Sequence, residues 1–199
     1  ENIFSKTVVF GLGMTGLFIA DQIKRNHPDA QILFVGRSDE NCKKVTFSKE
    51  IAGADYLCTS GLSEEETAEK IMEKIGGRAT MFVGTSGSNV EHRIAFQHKV
   101  LGCNGVYNSF SLGPVVSYDT MPFGFENHLI FASINFRQEH MEKAIEVLVD
   151  SRYDEVVELI GKDEFIADPL DAYENKIFCK GAPLKTGVIW NKKYIEEGK

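Results

Sequence analysis

The chain has 199 residues, of which 43% are hydrophobic and 26% are charged, and it carries a net charge of −7. This acidic balance, with lysines and arginines scattered along the chain, argues against a nucleic-acid-binding surface. No apolar run approaches the roughly 20 residues that a membrane-spanning helix needs, and the amino terminus lacks the segments of a secretory signal. We therefore expect a globular cytoplasmic protein that binds neither nucleic acid nor membranes, with its four cysteines as free thiols.

Strand-like and helix-like segments alternate along most of the chain. Buried, β-branched runs predict strands at residues 7–11, 31–36, 54–58, 79–84, 103–108 and 128–135. Apolar residues at helical spacing predict helices at residues 14–25, 39–51, 63–76, 88–99 and 141–149, the second of them interrupted at 45–47. The third helix has the clearest start, because Ser63 and Glu66 form the pattern of a capping box. The connection at 108–124 has no assignment.

This alternation predicts an α/β fold, a doubly wound parallel sheet of the Rossmann type with helices on both faces. In such a sheet the carboxyl ends of the strands share one edge, and ligands bind where the strand order reverses. The rhythm changes near residue 150, after which a short helix at 151–161, a turn and helix at 164–178 and a strand at 185–190 are predicted. We therefore expect a sheet domain at 1–150 and a short C-terminal extension at 151–199.

A glycine-rich turn, GLGMTG, joins the first strand to the first helix. Gly11 permits the tight turn, Gly13 lets a diphosphate approach the backbone, and Gly16 allows close contact between helix and strand. A ligand-free tight turn is the alternative, but the preceding strand, the amphipathic helix and a second buried strand about 20 residues later favour a dinucleotide site. Because the start of the helix offers free amides and a partial positive charge, Met14 and Thr15 join the three glycines as predicted cofactor-binding residues.

The end of the second strand predicts which dinucleotide binds. An NAD site usually has an acidic residue there, whereas this chain has Gly36, Arg37 and Ser38. The guanidinium of Arg37 can form paired hydrogen bonds with a 2′-phosphate, and Ser38 can donate another. These residues favour NADP. Two alternatives remain open: Arg37 as a solvated partner of Asp39, and Asp39 on the ribose, which would restore NAD.

The fourth predicted strand ends in small residues at the same edge of the sheet. Gly84, Thr85 and Ser86 would let the central part of a dinucleotide pass close over the backbone. A helix N-cap by Ser86 or Ser88 is compatible with that role.

Several motifs together resemble one family. They are VVFGLGMTGLF, FVGRS, FVGTSGSN and LIFASINFRQEHMEKAIEVL. This set resembles the medium-chain dehydrogenase/reductase superfamily, and archaeal-type glucose dehydrogenases in particular, over residues 8–189. The resemblance implies a dinucleotide-binding Rossmann domain that binds NADP.

The resemblance also implies the residues at the nicotinamide end of the cofactor. Asn135 matches the family's asparagine after the sixth strand, and Ser133 accompanies it. The segment at Tyr107 and Asn108 would border the nicotinamide pocket. An N-cap is the structural alternative for Asn135. His140 lies in the same block, where we expect it to pack or cap and not to bind a ligand.

The chain departs from the family in one respect. Complete members carry an upstream half with a catalytic zinc and the sugar site, and only six residues precede the first predicted strand here. We therefore expect a cofactor domain plus a returning tail, inactive alone, with no catalytic or metal-binding residue of its own. The complete enzyme would be a homo-oligomer, a dimer or tetramer. It would use zinc and transfer hydride from a sugar or polyol to NADP. The alternatives are a non-catalytic sensor or regulatory module, and a zinc-free quinone or enoyl reductase.

Overall fold

The computed structural model describes residues 2–111, 121–132 and 135–149, together with the strands Ile160–Asp163 and Lys185–Val188. The chain divides into two compact units, residues 1–136 and residues 137–199. The domain division at residue 150 stays a prediction. Three parts of the predicted tail lie outside the described residues. They are residues 151–159 of the helix predicted at 151–161, the turn and helix predicted at 164–178, and residues 189–190 of the strand predicted at 185–190.

The first unit alternates strands and helices from its start. In chain order its elements are β1 (Lys6–Phe10), α1 (Met14–Asn26), β2 (Gln31–Gly36), α2 (Lys43–Ala52), β3 (Asp55–Cys58), α3 (Glu64–Ile75), β4 (Ala79–Gly84), α4 (Asn89–His92), β5 (Leu101–Ser109), α5 (Met121–Glu126) and β6 (Leu129–Ala132). A π-helical turn, Arg93–Gln97, continues α4. The central strands β1, β2 and β4 are five or six residues long and mostly buried, as expected for the middle of a parallel sheet covered on both faces.

The six strands form one parallel sheet in the order β3-β2-β1-β4-β5-β6. The predicted α/β fold with a doubly wound parallel sheet is thereby confirmed. The strand order reverses between β1 and β4. In register, Phe10 pairs with Val35 on one side and with Gly84 on the other, and Gly84 pairs with Ser109. The carboxyl ends of the central strands therefore meet at one edge, where a doubly wound sheet binds its ligands.

Alternating side chains of β1 are buried on opposite faces of the sheet. Val8 and Phe10 belong to a buried cluster with residues of α3 and the π-helical turn. A Cβ atom added at Gly16 of α1 would lie 3.1 Å from a methyl carbon of Val9, so Val9 faces α1. All three side chains are at most 8% exposed. The sheet thus carries a packed core on each face, which holds its carboxyl edge rigid.

Three predicted elements differ in detail. The interruption predicted in the second helix is wrong, because α2 runs unbroken and buries Val45 and Phe47. Burial of these two side chains outweighs the weak helix propensity of the segment. The predicted strand 128–135 is shorter than expected within the described residues. The end of the helix predicted at 151–161 is also wrong, because residues 160 and 161 lie in a strand.

The second unit contains α6 (Gln138–Leu148) and a parallel pair, β7 (Ile160–Asp163) and β8 (Lys185–Val188). At the start of α6, the backbone N–H of Arg137 donates to Nδ1 of His140 over 3.1 Å. This bond gives His140 the predicted capping role. Among the described helices, none is both long enough and apolar enough to cross a membrane.

Candidate functional site

The turn between β1 and α1 requires glycine at two positions. Gly11 has a φ of 110°, and its N–H donates to the carbonyl oxygen of Val35 over 2.8 Å. A Cβ atom at Gly11 would lie 2.6 Å from the Thr85 hydroxyl, and one at Gly16 would lie 2.5 Å from the Gly11 carbonyl oxygen. Neither position has room for a side chain, so the turn packs tightly against α1 and the neighbouring loop.

Gly13 differs from these two glycines because it faces open space. A Cβ atom added there would meet no other atom within 4 Å, and its φ of −112° is accessible to any residue. The absence of a side chain at Gly13 is therefore not required by packing within the described part of the chain. It leaves the backbone at the start of α1 open to a group approaching from outside.

The start of α1 carries no cap of its own. Gly13 is its N-cap residue, no side chain of the part of the chain that the structure describes caps the first amides, and no acidic residue occupies the first turn. The start of α3 is the opposite, since Ser63 and Glu66 form the predicted capping box and three glutamates fill the first turn. The positive end of the α3 dipole is thus neutralised locally, whereas that of α1 remains available to an anion.

The loops after β1 and β4 are tied together where the strand order reverses. The backbone N–H of Thr85 donates to the carbonyl oxygen of Phe10 over 2.9 Å. The Thr85 hydroxyl lies 3.0 Å from the same oxygen and 2.9 Å from the carbonyl oxygen of Gly11. Two predicted segments, the glycine turn and Gly84-Thr85-Ser86, therefore lie side by side at one crevice edge.

The turn after β2 presents a free cation. Arg37 is exposed, and within the described residues its guanidinium has no ion pair or hydrogen bond. The Asp39 carboxylate accepts from the N–H of Asn41 over 2.8 Å, and no ion pair between Asp39 and Arg37 occurs in this part of the chain. Because β2 adjoins β1, the turn containing Gly36 and Ser38 neighbours the glycine turn.

A buried carboxylate lies beneath the loop after β4. Glu91 is fully buried and accepts from the Ser86 N–H over 3.0 Å and from the Ser86 hydroxyl over 2.6 Å. The hydroxyl of Ser111 donates to Glu91 over 3.1 Å, and that of Tyr107 lies 3.5 Å away. Glu91 thereby joins the loop after β4 to the end of β5 and the segment that follows it.

Sequence analysis missed Glu91, although its position carried a signal. The residue occupies an apolar stripe with Ile94 and Ala95, both fully buried. A charged residue at a core-facing helical position is rarely buried without partners. The partners could not be named beforehand, since Ser111 is 20 residues away along the chain.

The three residues predicted at the nicotinamide end have different surroundings. Asn108, near the end of β5, is 5% exposed, and its Oδ1 atom has no hydrogen-bond partner among the described residues. A buried acceptor without a donor is uncommon in proteins and fits a site that a ligand or water completes. Asn135 is exposed and follows β6. Ser133 lies outside the described residues.

Titratable groups near the edge are perturbed by burial. Burial, the largest influence, raises the pKa of Tyr56 well above its ordinary value. Burial likewise lowers the pKa of His92, so its imidazole stays neutral at physiological pH. No group of three or more His, Cys, Asp or Glu side chains that could hold a metal ion occurs among the described residues.

The strand order, the glycine turn and the uncapped α1 at the switch point define a Rossmann fold. Among solved structures, glucose dehydrogenase from Haloferax mediterranei is similar over 96% of this chain and 52% of its own, with 16% identity and a TM-score of 0.70. Its complex with NADP, Zn and gluconolactone has a TM-score of 0.67 at 15% identity, again over 96% of this chain and 52% of its own.

A second enzyme of similar fold is 2R,3R-butanediol dehydrogenase from Bacillus subtilis. It has a TM-score of 0.68 at 21% identity over 94% of this chain and 51% of its own. The chain thus spans about half the length of these dehydrogenases, and what it shares with them is the fold. The predicted resemblance is confirmed at that level. No protein-family model and no curated protein matches the sequence.

Proposed function

We propose that this chain binds NADP and is the cofactor-binding part of an oxidoreductase that acts on a sugar or another alcohol. The observation that carries the proposal is the uncapped start of α1, which lies beside an open Gly13 at the switch point of the sheet. The similar glucose dehydrogenase that contains NADP supports the identity of the ligand.

The glycine turn has the properties that a diphosphate site needs. Free backbone amides and the positive end of a helix dipole attract an anion, and the open space at Gly13 admits it. Met14 and Thr15 are the first residues of α1 and lie at the same opening, Met14 half-buried and Thr15 exposed. Thr85 and Ser86 lie on the other side of the switch point, where they would border the middle of the dinucleotide.

Arg37 supports NADP over NAD. A free guanidinium can bind a 2′-phosphate through charge-assisted hydrogen bonds, and Asp39 does not pair with it. The Ser38 hydroxyl can add a further donor. No carboxylate precedes Asp39 in this turn to repel the phosphate.

Asn108 and Asn135 are proposed to contact the nicotinamide half, together with Ser133. The unpartnered Oδ1 of buried Asn108 would accept a hydrogen bond from the ligand. When bound, NADP supplies the hydride acceptor for the oxidation of an alcohol carbon. The residues described above bind and orient that group, and the proton-accepting and substrate-binding groups are proposed to belong to another part of the enzyme.

Substitutions at Gly13 and Arg37 test the proposal by calorimetric titration with NADP and NAD. Gly13→Val should weaken binding of both dinucleotides at least about tenfold, because its side chain fills the open approach, where an added Cβ atom meets no described atom within 4 Å. Arg37→Ala should weaken NADP binding about 10- to 100-fold and leave NAD unchanged, since only NADP carries the 2′-phosphate.

Gly124→Ala is the matched control for Gly13→Val, because a Cβ atom at Gly124 in α5 also meets nothing within 4 Å. It should bind both dinucleotides as the unsubstituted chain does. Unchanged NADP affinity in Gly13→Val would contradict the proposed site. Equal losses for NADP and NAD in Arg37→Ala would contradict the proposed preference.

A further inference from the structure

The turn at residues 36–38 is bonded from the side by the residues that follow β3. The carbonyl oxygen of Gly36 accepts from the N–H of Thr59 over 2.7 Å and from its hydroxyl over 3.1 Å. The hydroxyl of Ser60 donates to the carbonyl oxygen of Arg37 over 3.1 Å. Two successive carbonyl groups of the turn thus accept hydrogen bonds from one short loop.

The third carbonyl group of the turn accepts a hydrogen bond from Tyr56. Its hydroxyl donates to the carbonyl oxygen of Ser38 over 2.9 Å, although its side chain is only 2% exposed. A Cβ atom at Gly36 would lie 3.2 Å from that hydroxyl, so the glycine leaves room for the tyrosine to reach the turn. Because burial raises the pKa of Tyr56, the hydroxyl keeps its proton and remains a donor at neutral pH.

These bonds determine which groups of the turn remain available. Carbonyl oxygens carry partial negative charge and would repel a phosphate, but all three are directed towards β3 and its loop. The guanidinium of Arg37 has no hydrogen-bond partner among the described residues. A backbone fixed in this arrangement presents the cation without further loss of backbone conformational entropy on binding.

We propose that Tyr56 and Ser60 are positioning residues that set the preference for a 2′-phosphorylated dinucleotide, by fixing the backbone that carries Arg37. The proposal rests on the proposed function and adds a determinant of specificity to it. Neither residue needs to contact the ligand. A purely structural role for the two hydroxyls would instead affect all dinucleotides alike.

The experiment measures dissociation constants of NADP and NAD for the 199-residue chain by calorimetry. The variants are Tyr56→Phe and Ser60→Ala, each alone and combined with Arg37→Ala. Adenosine 2′,5′-bisphosphate and AMP are titrated as probes of the 2′-phosphate alone. Thr7→Val is the matched control, because the fully buried Thr7 hydroxyl also donates to a carbonyl oxygen, that of Phe4 over 3.1 Å, near the amino end of β1.

Tyr56→Phe and Ser60→Ala should each weaken binding of NADP and of the bisphosphate about 3- to 10-fold, the usual consequence of one lost hydrogen bond. Affinities for NAD and AMP should stay unchanged, as should all affinities of Thr7→Val. In the Arg37→Ala background, Tyr56→Phe should have no further effect, because it acts through the guanidinium.

Equal losses for NADP and NAD in Tyr56→Phe, or additive losses with Arg37→Ala, would overturn the proposal. If Tyr56→Phe does not fold, Ser60→Ala decides the question alone, since Ser60 is exposed and outside the core. Failure of the unsubstituted chain to bind either dinucleotide would instead overturn the proposed function, and this inference with it.

Discussion

At the scale of single residues, the fully buried Glu91 connects several segments at the carboxyl edge of the sheet. Its two carboxylate oxygens accept hydrogen bonds from Ser86, Ser111 and Tyr107, which belong to three different segments. Gly84 belongs to the same arrangement, because a Cβ atom there would lie 2.7 Å from Oε1 of Glu91. One side chain therefore links the ends of β4 and β5 from below.

Removal of the Glu91 side chain should destabilise the fold. Glu91→Ala leaves the Ser86 N–H without its acceptor, for a loss of about 2 kcal/mol in the free energy of unfolding. Glu91→Gln should lose less than half of that, because its amide can still accept from Ser86 and donate to the hydroxyl oxygens. Urea denaturation of both variants measures the difference, and equal losses would contradict a hydrogen-bonding role.

At the scale of elements, α1 and α3 differ in how their amino termini are satisfied. The start of α3 is satisfied by its own cap and by a neighbouring element, since the N–H of Ser63 donates to Glu66 over 2.8 Å and Glu64 pairs with Arg93 of the π-helical turn over 2.6 Å. The start of α1 has no comparable side chain. The start of α3 thus stabilises the fold through its own cap, whereas the start of α1 is open to an anion.

The start of α3 should also make stability depend on pH. The Ser63 N–H lowers the pKa of Glu66, as the bond from Arg93 does for Glu64. A carboxyl with a lowered pKa in the folded state stabilises the fold above its unfolded value of 4.5, and this contribution is lost as pH falls through the folded pKa. The stability advantage of the unsubstituted chain over Glu66→Gln should therefore be constant above about pH 5 and shrink below pH 4.5.

Urea denaturation at several pH values between about 3 and 7 measures this difference in stability, because that range covers the titration of carboxyl groups. Glu69→Gln, an exposed substitution on the same helix, is the control. A difference that grows as pH falls would contradict the assignment of the bond.

At the scale of the whole molecule, the parts predicted from the sequence are those set by local pattern. Strand-helix alternation, the glycine turn and the Ser63 cap depend on neighbours within a few residues, so the sheet domain and its ligand edge followed from them. The bond from Tyr56 to Ser38 joins residues 18 apart, and Glu91 to Ser111 joins residues 20 apart. Such contacts depend on the packing of strands and have no local signature.

The predicted cofactor residues differ in whether packing within the fold explains their identity. Gly11, Gly16 and Thr85 are explained by close packing, whereas Gly13 and Arg37 face outward without a structural reason within the described residues. Binding residues are expected in the second group, because a fold alone does not require them. The glycine motif already predicts packing for Gly11 and Gly16 and a ligand-facing role for Gly13. The packing of Thr85 against Gly11 joins residues 74 apart, so spacing could not predict it.

The most direct test is a titration of the isotopically labelled chain with NADP, followed through its backbone amide resonances. The largest shifts should fall at Gly13, Met14 and Thr15, with a second set at Arg37 and Ser38, and NAD should reproduce only the first set. Largest shifts elsewhere, as at the capped start of α3, or no shift with NADP at all, would contradict a dinucleotide site at the start of α1.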